Sequence, residues 1–121
     1  MNTRWMPHVT VAAIVEHQGR FLLVEEHTGD GLKLNMPAGH LEAGESLPQA
    51  VAREVLEETA RPFEPQALVG VYLASSPDKD GTPTSWLRFA FCGRAGEAIA
   101  GRALDEGIVR TLWLSADELA A

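Results

Sequence analysis

The chain has one cysteine, Cys92, so it cannot form an internal disulfide, and it fits a reducing compartment better than a secreted, stapled fold. No apolar run approaches the length of a membrane span, which excludes an integral membrane helix. The segment from Met1 to His8 carries only Arg4 as a basic residue and lacks the charged-then-apolar layout of a signal peptide. Positive charge is scarce as well. Ten Lys and Arg face 17 Asp and Glu, for a net charge of −7. That balance argues against steering toward long nucleic acid polymers or an anionic membrane surface. A phosphorylated small molecule stays open as a substrate if a cation supplies the missing positive charge.

The 121 residues, 45% of them apolar, suit one globular domain with its own core. A chain of this size buries about two-thirds of the surface it exposes when unfolded. His8 to Glu16 and Arg20 to Glu25 read as strands joined by a Gln18-Gly19 turn. Thr28 to Lys33 reads as a loop, and Leu34 to Pro37 as a short extended piece. Ala67 to Ala74, Ser85 to Cys92 and Thr111 to Leu114 are further strands. In the second of these, Trp86, Arg88, Ala90 and Cys92 share one face and Leu87, Phe89 and Phe91 the other. Gly93 to Gly107 has no clear period.

The clearest helix runs from Leu47 to Thr59, with Ser46 as its cap and Gln49 three residues on, as in a capping box. Ser115 and Glu118 repeat that pattern at the start of a short last helix, inside or just after which the chain stops. The order of elements predicts an α/β fold.

Glu54, Glu57 and Glu58 lie at i, i+3 and i+4, so they share one face of the main helix. Crowded carboxylates repel, and a hard divalent cation such as Mg²⁺ relieves that cost. A solvated charged stripe is the alternative. The loop before the helix favours the metal, because Gly39 and Gly44 let the chain turn sharply and bring Glu45 back to the helix start. The carbonyls of Ala38 or Gly39 could add metal ligands, and backbone amides there could approach phosphate oxygens. Arg53 precedes the acidic face and is expected to bond acids of the loop rather than to reach across that face.

The stretch from Gly39 to Arg61, GHLEAGESLPQAVAREVLEETAR, resembles the signature of the Nudix hydrolase family: Gly, five residues, Glu, seven residues, Arg-Glu, an apolar residue, any residue, Glu-Glu. Gly39, Glu45, Arg53, Glu54, Val55, Glu57 and Glu58 fall on the pattern. Ala60 and Arg61 depart from it, where glycine and an apolar residue are expected. His8 to Ala12, Asn35 to Glu42, Ser76 to Lys79 and Leu87 to Phe89 look like a subgroup of that family acting on nucleoside di- and triphosphates and on thiamine-related diphosphates.

The resemblance implies an α/β/α sandwich with a mixed central sheet over residues 1–121, short of a C-terminal helical end. It also implies Mg²⁺-dependent attack of water on a diphosphate, with Mn²⁺ as a substitute metal. Glu57 and Glu58 would be the nearest ligands, with Glu54 and a Gly39 carbonyl contributing. Glu58 or Glu54 would take the proton, or else Asp105 or Glu106 in the loop before the last strand. Arg53 and Glu45 would brace the loop against the helix.

For the substrate, Arg88 and Lys79 could meet phosphate, while Tyr72 or Trp86 could stack on a ring. His40, with His8, could make polar contacts. Each has a plainer role open to it in core or surface, as do Trp113 and a small buried Cys92. The expected partner is a small phosphorylated metabolite or nucleotide, met by a cytoplasmic monomer with no nucleic acid polymer and no membrane. Dinucleoside polyphosphates or ADP-sugars are alternative substrates, and a catalytically silent nucleotide-binding domain is an alternative class.

Overall fold

The computed structural model describes residues 4–77 and 81–121. Its elements run β1 (His8–Ile14), β2 (Glu16–His17), β3 (Arg20–Thr28), β4 (Gly31–Asn35), β5 (Ala38–His40), α1 (Leu47–Thr59), β6 (Phe63–Ser76), β7 (Thr84–Ala95), β8 (Ile108–Ser115) and α2 (Ala116–Ala120).

The strands divide into two sheets. The first has the order β5-β1-β7-β6 and is mixed, because β1 and β7 run parallel while β1–β5 and β6–β7 are antiparallel. In the second, β3 pairs with β2, β4 and β8. The mixed sheet of an α/β fold is thus present, and a second sheet stands beside it. Five strands outgrow the sequence reading: β3 runs on to Thr28, β7 and β8 extend at both ends, and β4 and β6 start earlier. Gly31 to Lys33 belongs to β4 rather than to a loop, and β6 begins at Phe63. Pro65 is accommodated in β6 beside a register irregularity, on the edge strand of its sheet, where a missing N–H costs no ladder bond. Gln18 (φ 51°) and Gly19 (φ 79°) both lie in the left-handed region, as a two-residue hairpin turn requires.

Helix α1 spans the expected residues. Ser46 accepts from the Gln49 amide, and Gln49 returns a bond to the Ser46 amide. Its fully buried Ala50, Val51 and Val55 pack on Val11 and Ala13 of β1 and Phe91 of β7. Burying each valine is worth about 1.5–3 kcal/mol. This packing sets α1 against one face of the mixed sheet. The other face of β7 carries Trp86, Arg88 and Ala90 into a cavity.

The exit from α1 explains the two signature departures. Ala60 caps the helix at φ 61°, the left-handed conformation for which glycine is the usual choice. Arg61 lays its guanidinium over the Trp113 ring, 5.4 Å from its centre, and bonds the Gly96 carbonyl. Its long stem and flat head do the packing that an apolar side chain would otherwise do. Cys92 is half-buried rather than buried as expected.

Candidate functional site

Loop 41–46 and α1 are joined by one guanidinium. Arg53 Nε donates to Glu45 Oε2 at 2.6 Å, and Nη2 donates to Glu45 Oε1 at 3.0 Å and to the His40 carbonyl at 2.9 Å. Arg53 also reaches the acidic face, contrary to expectation. Its Nη1 lies 2.8 Å from Glu54 Oε1 and 3.2 Å from Glu57 Oε2. A side chain neighbouring Glu54 in sequence leaves the helix at a different angle, but four methylene-length bonds let it fold back along the i, i+4 row toward Glu57. The Glu45 bond is the main cause that holds the Arg53 proton more tightly than usual, and the same bond holds the Glu45 carboxyl below its ordinary value.

The helix carboxylates split into two roles. Ligand atoms of Glu54, Glu57 and Asp105 lie within 4.8 Å of one another. Asp105 arrives from a loop tied to the end of α1, because its N–H donates to the Glu57 carbonyl at 2.9 Å. Glu106, also expected as a candidate base, is not gathered into this group; it lies exposed in the turn before β8. Glu58, as buried as Glu54, is engaged elsewhere: its Oε1 accepts from the Ala38 amide at 2.9 Å. Burial pushes its carboxyl up to about 8, helped by the nearby charges of Glu54, Glu26 and Asp105 and opposed by the Ala38 bond. Burial also raises Glu54, against the pull of Arg53.

The residues fit a divalent cation. The donors are all carboxylate oxygens, the hard ligands that Mg²⁺ and Mn²⁺ take. Gly39 supplies the space: a Cβ there would overlap the Glu54 carboxylate. Gly39 therefore lies directly against an acid of the cluster, as its expected place beside a metal requires.

A cavity of about 740 Å³ opens beside the acids. Ala38, Gly39 and His40 form its border with the cluster, and Tyr72, Trp86 and Arg88 line it from the mixed sheet. The structure thus brings four of the expected substrate contacts together. Of the other two, His8 is not among the lining residues, and Lys79 lies outside the described residues. Arg88 has no hydrogen bond or ion pair among the described residues, so its charge is free to meet an anion. Trp86 is stacked on His8, centroids 4.8 Å apart, with His40 at 5.8 Å. Sequence reasoning missed Glu26 and Asn35 on the opposite wall. Their only signal was a strand end rich in polar residues, which does not separate a cavity wall from a surface.

Comparison with known proteins points to one family. A family model described as NUDIX domain matches residues 6–121. Phosphatase NudJ of Escherichia coli K12 is 41% identical over 113 residues, covering 93% of this chain and 71% of that protein. The solved structure of a NUDIX hydrolase from Nitrosomonas europaea is 49% identical, superposes with a TM-score of 0.88, and spans 95% of this chain and 76% of its own. An ADP-ribose pyrophosphatase from Streptococcus suis shares the fold at 23% identity, with a TM-score of 0.72 over 93% of this chain and 76% of that one.

Proposed function

The chain belongs to the Nudix family and is a hydrolase, and on that premise we propose that it breaks the diphosphate linkage of nucleoside di- or triphosphates or of thiamine-related pyrophosphates with Mg²⁺. The observation that carries this reading is the oxygen-donor cluster of Glu54, Glu57 and Asp105 opening beside a cavity lined by Arg88, a cation without an ion pair among the described residues. Glu54, Glu57 and Asp105 would hold the metal, with the Gly39 carbonyl and Glu58 as further donors. Bound there, Mg²⁺ or Mn²⁺ would neutralise phosphate oxygens and make water more acidic.

The chain's own groups supply the rest. Water attacks phosphorus, the bridging P–O bond breaks, and a phosphate or phosphomonoester leaves. Glu58 would take the proton on Oε2, the oxygen not engaged by the Ala38 amide, with a bound cation offsetting the burial that raises its proton affinity in the metal-free protein. Asp105 is the second candidate for the same proton. Arg53 orients Glu54 and Glu57 and does not react. Arg88 would pair with phosphate, and Trp86 or Tyr72 would stack on the ring of the leaving or retained group. His40 adds a polar edge.

One chain builds both the cluster and the cavity, and the proposal is of a monomer acting on small metabolites. Among the described residues no helix is long and apolar enough to cross a membrane, and a lone thiol is in keeping with the cytosol. ADP-sugars are a second substrate reading, favoured by the fold shared with an ADP-ribose pyrophosphatase.

The test is a panel of nucleoside di- and triphosphates, thiamine diphosphate, its pyrimidine precursor diphosphate, ADP-ribose and diadenosine polyphosphates, each with Mg²⁺ and with product identification. Phosphate release from the first groups supports the reading. Turnover confined to ADP-ribose would transfer it to the second, and no turnover of any would favour a binding domain.

A further inference from the structure

Trp86 and Tyr72 both line the cavity, but they stand in different company. Trp86 carries His8 on one face, centroids 4.8 Å apart and 28° from parallel, with His40 tilted beside it at 5.8 Å. Tyr72 is 52% exposed, and among the described residues it pairs with no other ring and its hydroxyl has no hydrogen bond. In the β6–β7 ladder Tyr72 lies directly opposite Arg88. A tyrosine and an arginine facing each other across two strands are within reach to stack, ring against guanidinium. Here they do not: among the described residues the one guanidinium over a ring is that of Arg61, over Trp113.

Gly70 shows where the Tyr72 ring goes instead. Strand side chains usually stand away from the sheet, yet a Cβ at Gly70 would lie 2.7 Å from the Tyr72 hydroxyl and 2.9 Å from its Cζ. The Tyr72 side chain therefore runs back along β6 and ends over Gly70. The backbone does not demand glycine there, because Gly70 lies outside the left-handed region; the demand is for space. Across the ladder Gly70 meets Ala90, so neither strand raises a bulky side chain at this level. The register shifts between Leu68 and Gly70, an irregularity of the kind that re-aims side chains beside sites. Two groups that could consume each other are kept apart. The ring stays open to a planar partner and the guanidinium to an anion, both on the cavity wall.

We infer that Tyr72, laid along β6 by the empty Gly70 position, is the ring platform of this cavity, and that Gly70 sets a preference for diphosphates that carry a planar heteroaromatic ring over those that carry none. Stacking needs only a π-face, so it works on a half-exposed ring and does not depend on the hydrogen-bonding edge of the ligand. Gly70 is a positioning residue: it touches Tyr72 and acts through it. The inference rests on the proposed function for the identity of the cavity, but it is read by binding and not by turnover.

The experiment is calorimetric binding, in Mg²⁺, of two diphosphates whose P–CH2–P bridge resists hydrolysis: adenosine 5′-(α,β-methylene diphosphate), and the same molecule with a methoxy group in place of the base. The wild-type chain is expected to bind the adenosine compound about tenfold more tightly, the scale of one stacked base. Tyr72→Leu is expected to bring the ratio close to one while the ring-free affinity stays near that of the wild type. Tyr72→Phe, which keeps the ring and loses the hydroxyl, is expected to keep the ratio. Gly70→Ala keeps the tyrosine but displaces the end of its side chain, so it is expected to narrow the ratio. Combined with Tyr72→Leu it is expected to narrow it no further, as for two residues that act as one unit. Binding of the ring-free compound shows that each variant has folded. Equal affinities in the wild type, or binding of neither compound, overturn the inference. So does a ratio that survives Tyr72→Leu, or a Gly70→Ala effect that persists without Tyr72. Failure of the proposed function is read separately, as no phosphate release from hydrolysable nucleotides, because the binding ratios do not depend on it.

Discussion

Arg53 and Glu45 meet as two parallel bonds, Nε to Oε2 at 2.6 Å and Nη2 to Oε1 at 3.0 Å, with side chains only 22% and 17% exposed. The fork matches the carboxylate plane, so it fixes an angle as well as a distance. The rest of the same guanidinium touches Glu54 and Glu57. The loop and the acids are therefore aligned by one rigid group.

Replacing that group tests alignment separately from charge. Arg53→Lys keeps the charge and loses the fork. Activity is expected to fall roughly 10–100-fold, as for other groups that orient metal ligands, with a weaker apparent affinity for Mg²⁺. Steady-state rates at rising Mg²⁺ check this, and an unchanged metal dependence would contradict it.

Asp105 and Glu106 are adjacent, yet only Asp105 joins Glu54 and Glu57. Asp105→Asn is expected to reduce kcat by roughly 100-fold, the scale of a lost proton acceptor or ligand. Glu106→Gln is expected to stay within about twofold of the wild type, as is usual for an exposed group away from the chemistry. A larger effect at Glu106 would reverse the assignment. Chelation should abolish activity in the wild type, with recovery on adding Mg²⁺ or Mn²⁺.

Gly39→Ala places a methyl on the Glu54 carboxylate. The acid must move, so metal affinity and activity are both expected to drop. Overpacking of this kind costs about 1–3 kcal/mol, which a thermal melt in chelator would show as a lower Tm. A variant with wild-type Tm and rate would mean that Glu54 has room to yield.

Stability of the metal-free protein should depend on pH in an unusual direction. Glu58 holds its proton up to about 8 in the folded state, so between the ordinary carboxylate range and that value the folded state binds more protons than the unfolded one. Stability then falls as pH rises through this window. Glu54, also raised, acts the same way. Tm in chelator is expected to decline from mildly acidic to mildly alkaline pH, and saturating Mg²⁺ to remove most of the decline. A chelated Tm that rises across the window would contradict the burial of Glu58.

At the end of α1, Ala60→Gly sets two terms against each other. Leaving a left-handed alanine relieves about 1–2 kcal/mol, while removing a methyl that is almost fully buried forfeits about 0.8 kcal/mol. Glycine also pays more entropy on folding, up to about 1 kcal/mol. The net change is expected to lie within about 1 kcal/mol of zero by denaturant unfolding, which is why alanine is tolerated where the signature has glycine.

What could be read in advance was local. The Ser46–Gln49 box, the apolar positions 50, 51 and 55, and the Gln18-Gly19 turn lie within a few residues of what they specify, and the structure has all of them. The shared face of Glu54, Glu57 and Glu58 follows from helix geometry alone. Their contacts then divide them, because Glu58 meets the Ala38 amide from a strand that helical periodicity does not describe. Asp105 could not be told from Glu106 for a similar reason: the hydrogen bond that seats it runs to Glu57, far away in the chain. Glu26 needed the register shift between β3 and β8, a property of pairing and not of either strand.

The parallel pair β1–β7 aligns His8–Ile14 with Trp86–Cys92. Strand β1 therefore meets β5 early but waits for its other neighbour, β7, until most of the intervening chain has been made. The helix bearing the acids emerges between them, with its buried valines awaiting both strands. Closing so large a loop is slow compared with local pairing. During synthesis the β3–β4 hairpin can form early, whereas the layer that covers α1 must wait for β7. The cluster of Glu54, Glu57 and Asp105 is complete only after both β7 and the loop bearing Asp105 have been made.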